Sequence, residues 1–224
     1  MKHLFLIIVV VFATGSCAKA QSDEKPQYLF GADSKVSVKG FGAVINEFSA
    51  FKDDFSFSTG GGGAVLLNQK FFFGAYGMGM TTQHSYALST KLANGTLKTY
   101  TDLRTQFGHG GFWIGYIHDY KKLIHWSAST KIGWGSISFT DRDYKIDYHD
   151  ELGYDQVFVL TPQVEAELNI AKWFKINAGI GYRFVTGVNQ SYPNINGIET
   201  KFFKSTDFNT PQFSLGLLFG NFSR

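Results

Sequence analysis

The chain has 224 residues, room for one domain with a full-size core. Charged residues make up 17% and aromatics 17%, with 25 glycines, which excludes a disordered polyelectrolyte and suits an all-β protein with many turns. A net charge of +3 and one cysteine give no reason to expect nucleic-acid binding or a disulfide framework.

Residues 1–20 read as a secretory signal peptide. Lys2 and His3 form a short basic start, Leu4 to Ala13 is apolar throughout, and Ala18-Lys19-Ala20 supplies small residues before a cut at Gln21. A lipoprotein signal is the alternative, with Thr14-Gly15-Ser16 leading into Cys17, but Thr14 stands where such signals usually carry Leu. Cleavage before Gln21 removes Lys2, Lys19 and Cys17, leaving 19 of the 21 basic residues against 18 acidic ones and no thiol for a metal site. Residues 21–34, with Pro26, read as a periplasmic linker, and 35–224 as the barrel described next.

After the leader no apolar run approaches the ~18 residues of a membrane helix. Segments alternating in polarity recur instead, at 36–46, 55–67, 71–82, 103–118, 124–139, 157–170, 174–186 and 211–222, the period of strands. Short connections at 68–70, around Lys121-Lys122 and at 171–173 alternate with long ones at 47–54, 83–102, 140–156 and 187–210. This alternation predicts a closed antiparallel up-and-down transmembrane β-barrel of about eight strands, with short periplasmic turns and long extracellular loops.

Hairpin pairing indicates which face meets lipid. Closing the turn at 171–173 pairs Ile170 with Phe174, Leu168 with Ile176, Ala166 with Ala178, Val164 with Ile180, Pro162 with Tyr182 and Leu160 with Phe184. The other face holds Glu165, Glu167, Asn177, Gly179, Gly181 and Arg183. At the turn around Lys121-Lys122, pairing Asp119 with Ile124 sets Ile117 against Trp126 and Trp113 against Thr130, with Tyr116, Ser127, Ser129 and Lys131 behind. In the last strand Phe213, Leu215, Leu217 and Phe219 form the apolar row. The hairpin through Gly60 to Gly63 and Phe71 to Phe73 stays ambiguous, because moving its turn by one residue swaps the faces. A membrane barrel turns the apolar face outward, so Lys131, Glu165, Glu167, Lys175 and Arg183 are expected to pair as a polar plug in the lumen. Phe71, Tyr120, Trp126, Trp173 and Phe222 near the turns, and Phe57, Trp134, Phe158, Phe184 and Phe208 toward the loops, fit interfacial girdles.

This pattern resembles the small eight-stranded outer-membrane barrels of the OmpA transmembrane-domain and OmpX kind, over the whole stretch from Gln21 to Arg224. The resemblance is architectural and rests on no diagnostic motif. It implies the outer membrane as location, with contact to its lipid and lipopolysaccharide. It also implies an aromatic C-terminal signal for the barrel-assembly machinery, which Phe219 and Phe222 suit although Ser223 and Arg224 follow. Pro162 departs from the pattern, since it lacks a ladder donor, and a bulge is expected there.

Candidate chemistry is sparse. His125-Trp126-Ser127 resembles the His-x-Ser of outer-membrane lipid A deacylases, but no Glu follows at the expected distance, where Ile137 to Thr140 stand. His118 and His125 face each other in the expected pairing, with Asp119 alongside, yet a third metal ligand is not evident. The acidic stretch from Asp141 to Asp155 contains Lys145 and lacks the turn glycine of a calcium loop. Gly60 to Gly63 lacks the Lys-Ser/Thr pair of a phosphate loop and reads as a kink or close packing, and Gly108-His109-Gly110-Gly111 as a bend or bulge. No catalytic residue, metal or cofactor is expected. The reading is a structural or surface-interaction barrel acting through its extracellular loops on lipopolysaccharide, a host surface or another partner. A narrow channel or carrier is the alternative, and a lipid-modifying enzyme, lacking its triad, the weakest candidate.

Overall fold

The computed structural model describes residues 36–91, 95–140 and 152–223. The expected signal peptide and linker, and most of the acidic stretch from Asp141, therefore lie outside the described residues. The chain forms β1 (Val38–Phe51), β2 (Asp54–Leu67), β3 (Phe71–Met80), β4 (Ser85–Lys91), β5 (Leu97–Ile117), β6 (Ile124–Thr140), β7 (Asp155–Ala171), β8 (Phe174–Thr186), the short β9 (Ser191–Pro193) and β10 (Glu199–Lys201), and β11 (Thr210–Gly220). Sheet order runs β3-β2-β1-β11-β8-β7-β6-β5-β4, and a further β3–β5 pairing closes the ring. β3 and β4 lie one after the other along β5, so together they make one stave of an eight-stave antiparallel barrel. Closure pairs β3 with both β2 and β5, so no strand edge is left open where the ring closes, as a lipid environment demands.

Polarity is inverted relative to a soluble protein. On the hairpin of β7 and β8, Val164 is 55% exposed and Ile180 70%, while Lys131 and Arg183 inside the barrel are at 0% and 1%. The β7–β8 register is the expected one from Leu160↔Phe184 to Leu168↔Ile176. It is preserved because a two-residue turn, Lys172-Trp173, is compensated by a bulge between Asn169 and Ala171. No bulge forms at Pro162, where the register is the same on both sides.

Three further expectations are corrected. The connection at 47–54 is not long: β1 and β2 meet through Lys52-Asp53, both left-handed at φ 48° and 68°, the tight turn that matches strand twist. Much of 83–102 is wall, since β4 pairs with the extended start of β5. And the β5–β6 register is one residue from the expected one, with Ile117↔Ser127 and Trp113↔Lys131. The turn at 118–123 carries a left-handed Asp119 whose carbonyl accepts the Lys122 N–H at 2.8 Å. The slip turns Trp113 and Ile117 into the lumen and Tyr116, Ile114 and Phe112 toward lipid. At about 3.3 Å per residue and a tilt near 40°, the 21 residues of β5 rise roughly 50 Å, twice an apolar band of about 25 Å. The excess stands at the loop end, where outward side chains of β5 become Gly108, Gln106 and Arg104.

Small residues make the narrow interior fillable. A Cβ on Gly179 would come within 2.5 Å of Glu165 Cγ, so that carboxylate occupies the space left by its cross-strand glycine. Gly62 does the same for the Trp113 ring, 3.3 Å from where its Cβ would stand. Gly60 to Gly63 pair in unbroken register with both neighbours, and Gly108 to Gly111 contain no bulge.

Candidate functional site: the lumen and its loop-end plug

The inner wall is divided. Strands β1, β2, β3 and β5 contribute an apolar cluster that includes Phe41, Leu66, Phe72, Trp113 and Ile117. Facing it, β6, β7, β8 and β11 carry Ser127, Ser129, Lys131, Gln163, Glu165, Glu167, Lys175, Asn177 and Gln212, all buried. Alternation places each set: the period of two that sends Val164 and Ile180 to lipid sends Glu165 and Gly179 inward.

Lys131 is the centre of the polar wall. Its Nζ donates to Glu47 Oε1 at 2.8 Å and to Gln163 Oε1 at 3.1 Å. β6 and β1 are four places apart in the ring, so the Lys131–Glu47 ion pair crosses the full width of the lumen. Nearer the short turns, Glu167 Oε2 accepts from Lys175 Nζ and meets His125 Nε2, both at 3.1 Å. Glu165 has no cation at hydrogen-bond distance among the described residues. It accepts from Asn177 Nδ2 at 2.7 Å, Ser129 Oγ at 3.1 Å and Ser127 Oγ at 3.4 Å. All five residues singled out in the sequence thus sit inside the barrel, but not as one array. Lys131 and Arg183 leave the glutamates of β7, and only Lys175 pairs directly with one of them. Glu47, the acid that Lys131 uses, escapes the sequence reading because it falls in a stretch whose pattern imitates a loop.

Arg183 serves a second structure. Its Nε donates to the Phe208 carbonyl at 3.2 Å and its guanidinium lies 5.2 Å over the Phe107 ring. Phe208 belongs to the segment after β10, which folds into the mouth through a 3-10 turn at Ser205–Asp207. Phe203 and Phe208, both fully buried, pack on Phe51, Phe107 and Phe139 with ring centroids 4.7–5.5 Å apart. Phe208 is therefore plug, not girdle, and Tyr120 and Phe222 likewise pack against the inner cluster at the other end. Lys52 caps the plug, its Nζ 4.6 Å from the Phe203 ring centroid and donating to the Phe202 carbonyl at 3.3 Å. Burial lowers the Lys52 pKa, with the Asp207 charge opposing. Hydrogen bonds hold the segment: Lys52 N–H to the Asp207 carbonyl at 3.2 Å, and Val185 N–H to the Asn209 side-chain Oδ1 at 2.6 Å.

The enzymatic and metal alternatives find no assembled site among the described residues. Ser127 donates to Glu165, while His125 Nδ1 lies 3.1 Å from the Lys122 carbonyl and Nε2 faces Glu167, so the His-x-Ser pair is not a coupled nucleophile and base. His118 stacks outside on Trp126 at 4.9 Å, whereas His125 points inward, so the barrel wall separates the two imidazoles. No group of His, Cys, Asp or Glu gathers with metal-ligand spacing among the described residues.

No protein-family model and no characterised protein matches the sequence. Among solved structures, the chain is similar to Neisserial surface protein A (NspA), at 11% identity over 83% of this chain and 99% of that one, with a TM-score of 0.51. Weaker overlaps are with Ail, the attachment invasion locus protein of Yersinia pestis (11% identity, 82% and 97%, TM-score 0.42), and with a major outer membrane protein from Thermus thermophilus (11%, 82% and 99%, 0.46). The likeness to NspA is one of fold: a small, closed, eight-stave barrel.

Proposed function

We propose that this protein is an outer-membrane barrel that acts by contact at its loop end rather than by passing solutes. The observation that carries the reading is the Lys131–Glu47 pair, which bridges opposite staves at 2.8 Å in a lumen already filled by side chains. The plug of Phe203 and Phe208 closes the mouth above it. A filled lumen argues against a conducting path, and the long staves argue for a platform that lifts the β4–β5 hairpin and the β9–β10 hairpin clear of the bilayer. Binding surfaces are commonly built from loops on such rigid supports, because they vary without disturbing the ladder. The contact is with lipopolysaccharide, a host surface or another macromolecule, and the barrel-assembly machinery inserts the chain. Planar-bilayer recording with the folded full chain tests the choice against a channel. The expected trace has no stepwise conductance, and stable single-channel steps from the wild type would transfer the reading to a narrow pore.

A further inference from the structure

The short-turn rim carries a pocket that the surface role does not use. Lys70, Tyr116, His118, Asp119, Tyr120, Lys121 and Lys122 line a space of about 410 Å³ between the turn at 68–70 and the turn at 118–123. The Ile117 N–H donates to the Lys70 carbonyl at 2.6 Å, which fixes the two turns against each other. The wall toward the membrane is aromatic: Phe71 and Tyr116 lie 5.0 Å apart, and His118 stacks on Trp126. Directly beyond it, Phe73, Phe112 and Ile114 are exposed on the lipid face.

Charge at this end is one-sided. Lys70, Lys121, Lys122 and Lys172 are exposed there, against Asp119 alone among the described residues. That carboxylate is engaged, at 2.7 Å from Lys122 Nζ and 3.6 Å from His118 Nε2. The loop end instead mixes cations such as Lys91 and Lys201 with acids such as Asp102 and Glu199. Ammonium groups held at the boundary of an apolar band face the level of lipid phosphates, where their flexible stems can follow a headgroup.

We infer that this pocket binds the headgroup phosphate of an anionic phospholipid from the leaflet that the short turns face. Lys70 and Lys121 supply the charge, and the acyl chains run over Phe73, Phe112 and Ile114. The inference rests on the membrane reading but not on the surface role. Native mass spectrometry of the full chain in neutral detergent, with phosphatidylglycerol, phosphatidylcholine or inorganic phosphate added, tests it. Phosphatidylglycerol should be retained over phosphatidylcholine, and the K70Q/K121Q variant should lose roughly 30-fold of that retention, as expected for two lysines near an anionic lipid. The K91Q/K201Q variant, with the same loss of charge at the loop end, should keep it. Equal retention of the two lipids by the wild type would overturn the proposal, as would equal loss in both variants. Displacement of the lipid by inorganic phosphate at matched concentration would make the pocket a free-anion site and overturn the lipid assignment. Failure of the membrane reading itself would show separately, as a chain that stays folded without detergent.

Discussion

Lys131 and Glu47 meet at 2.8 Å from opposite staves, and each is almost completely excluded from solvent. Removing one partner of such a pair strands the other charge, at a cost of about 3–5 kcal/mol, whereas replacing both with apolar groups of similar volume is often neutral. Glu47→Ala should therefore lower urea stability in detergent by that amount, and the double variant Glu47→Leu with Lys131→Met should recover most of it. Equal destabilisation in the single and double variants would mean that packing, not charge, holds this level of the lumen. Inward placement of Lys131 was legible from alternation alone, but its partner was not. Glu47 lies in Asn46-Glu47-Phe48-Ser49, where polar residues on both sides of Phe48 blur the period and imitate a loop. The strand is held there by pairing with β2 and β11, which no local pattern reports.

Among the elements, the plug segment gives the sharpest expectation. Phe208 is fully buried against Phe51 and Phe107, so Phe208→Ala should cost about 3–5 kcal/mol of local packing. Because that cost falls on the segment and not on the staves, trypsin should cut after Lys201 or Lys204 much faster in the variant, while heat-modified gel mobility of the barrel stays unchanged. Unchanged cleavage would mean that the hydrogen bonds to the Asp207 carbonyl and the Asn209 side chain hold the segment without the rings. From sequence the plug was invisible: Phe203 and Phe208 sit in a polar, non-periodic stretch, and their burial depends on strands more than 50 residues away in Phe107 and Phe139. The hairpins show the same division. β7–β8 was readable because its short turn and bulge preserve the register, whereas β5–β6 slipped because a six-residue connection, 118–123, offers two face assignments and a left-handed Asp119 selects between them.

For the whole molecule, strand number, antiparallel order and the inversion of polarity were legible because they repeat along the chain, from Glu165 and Glu167 against Val164 and Ala166 to Ser214 and Gly216 against Phe213 and Leu215. Stave length was less so, since the wall above the apolar band is polar on its outer side and reads as loop. On the proposed outer-membrane reading, the short turns at 68–70, 118–123 and Lys172-Trp173 face the periplasm and the β9–β10 hairpin lies outside. Single cysteines at Asn196, in the exposed turn of that hairpin, and at Lys172, in the β7–β8 turn, read this directly with an impermeant thiol reagent. On intact cells the Asn196→Cys variant should be labelled and the Lys172→Cys variant should react only after the outer membrane is opened. Labelling of Lys172→Cys on intact cells, with Asn196→Cys protected, would contradict both the orientation and the loop end as the surface that makes contact.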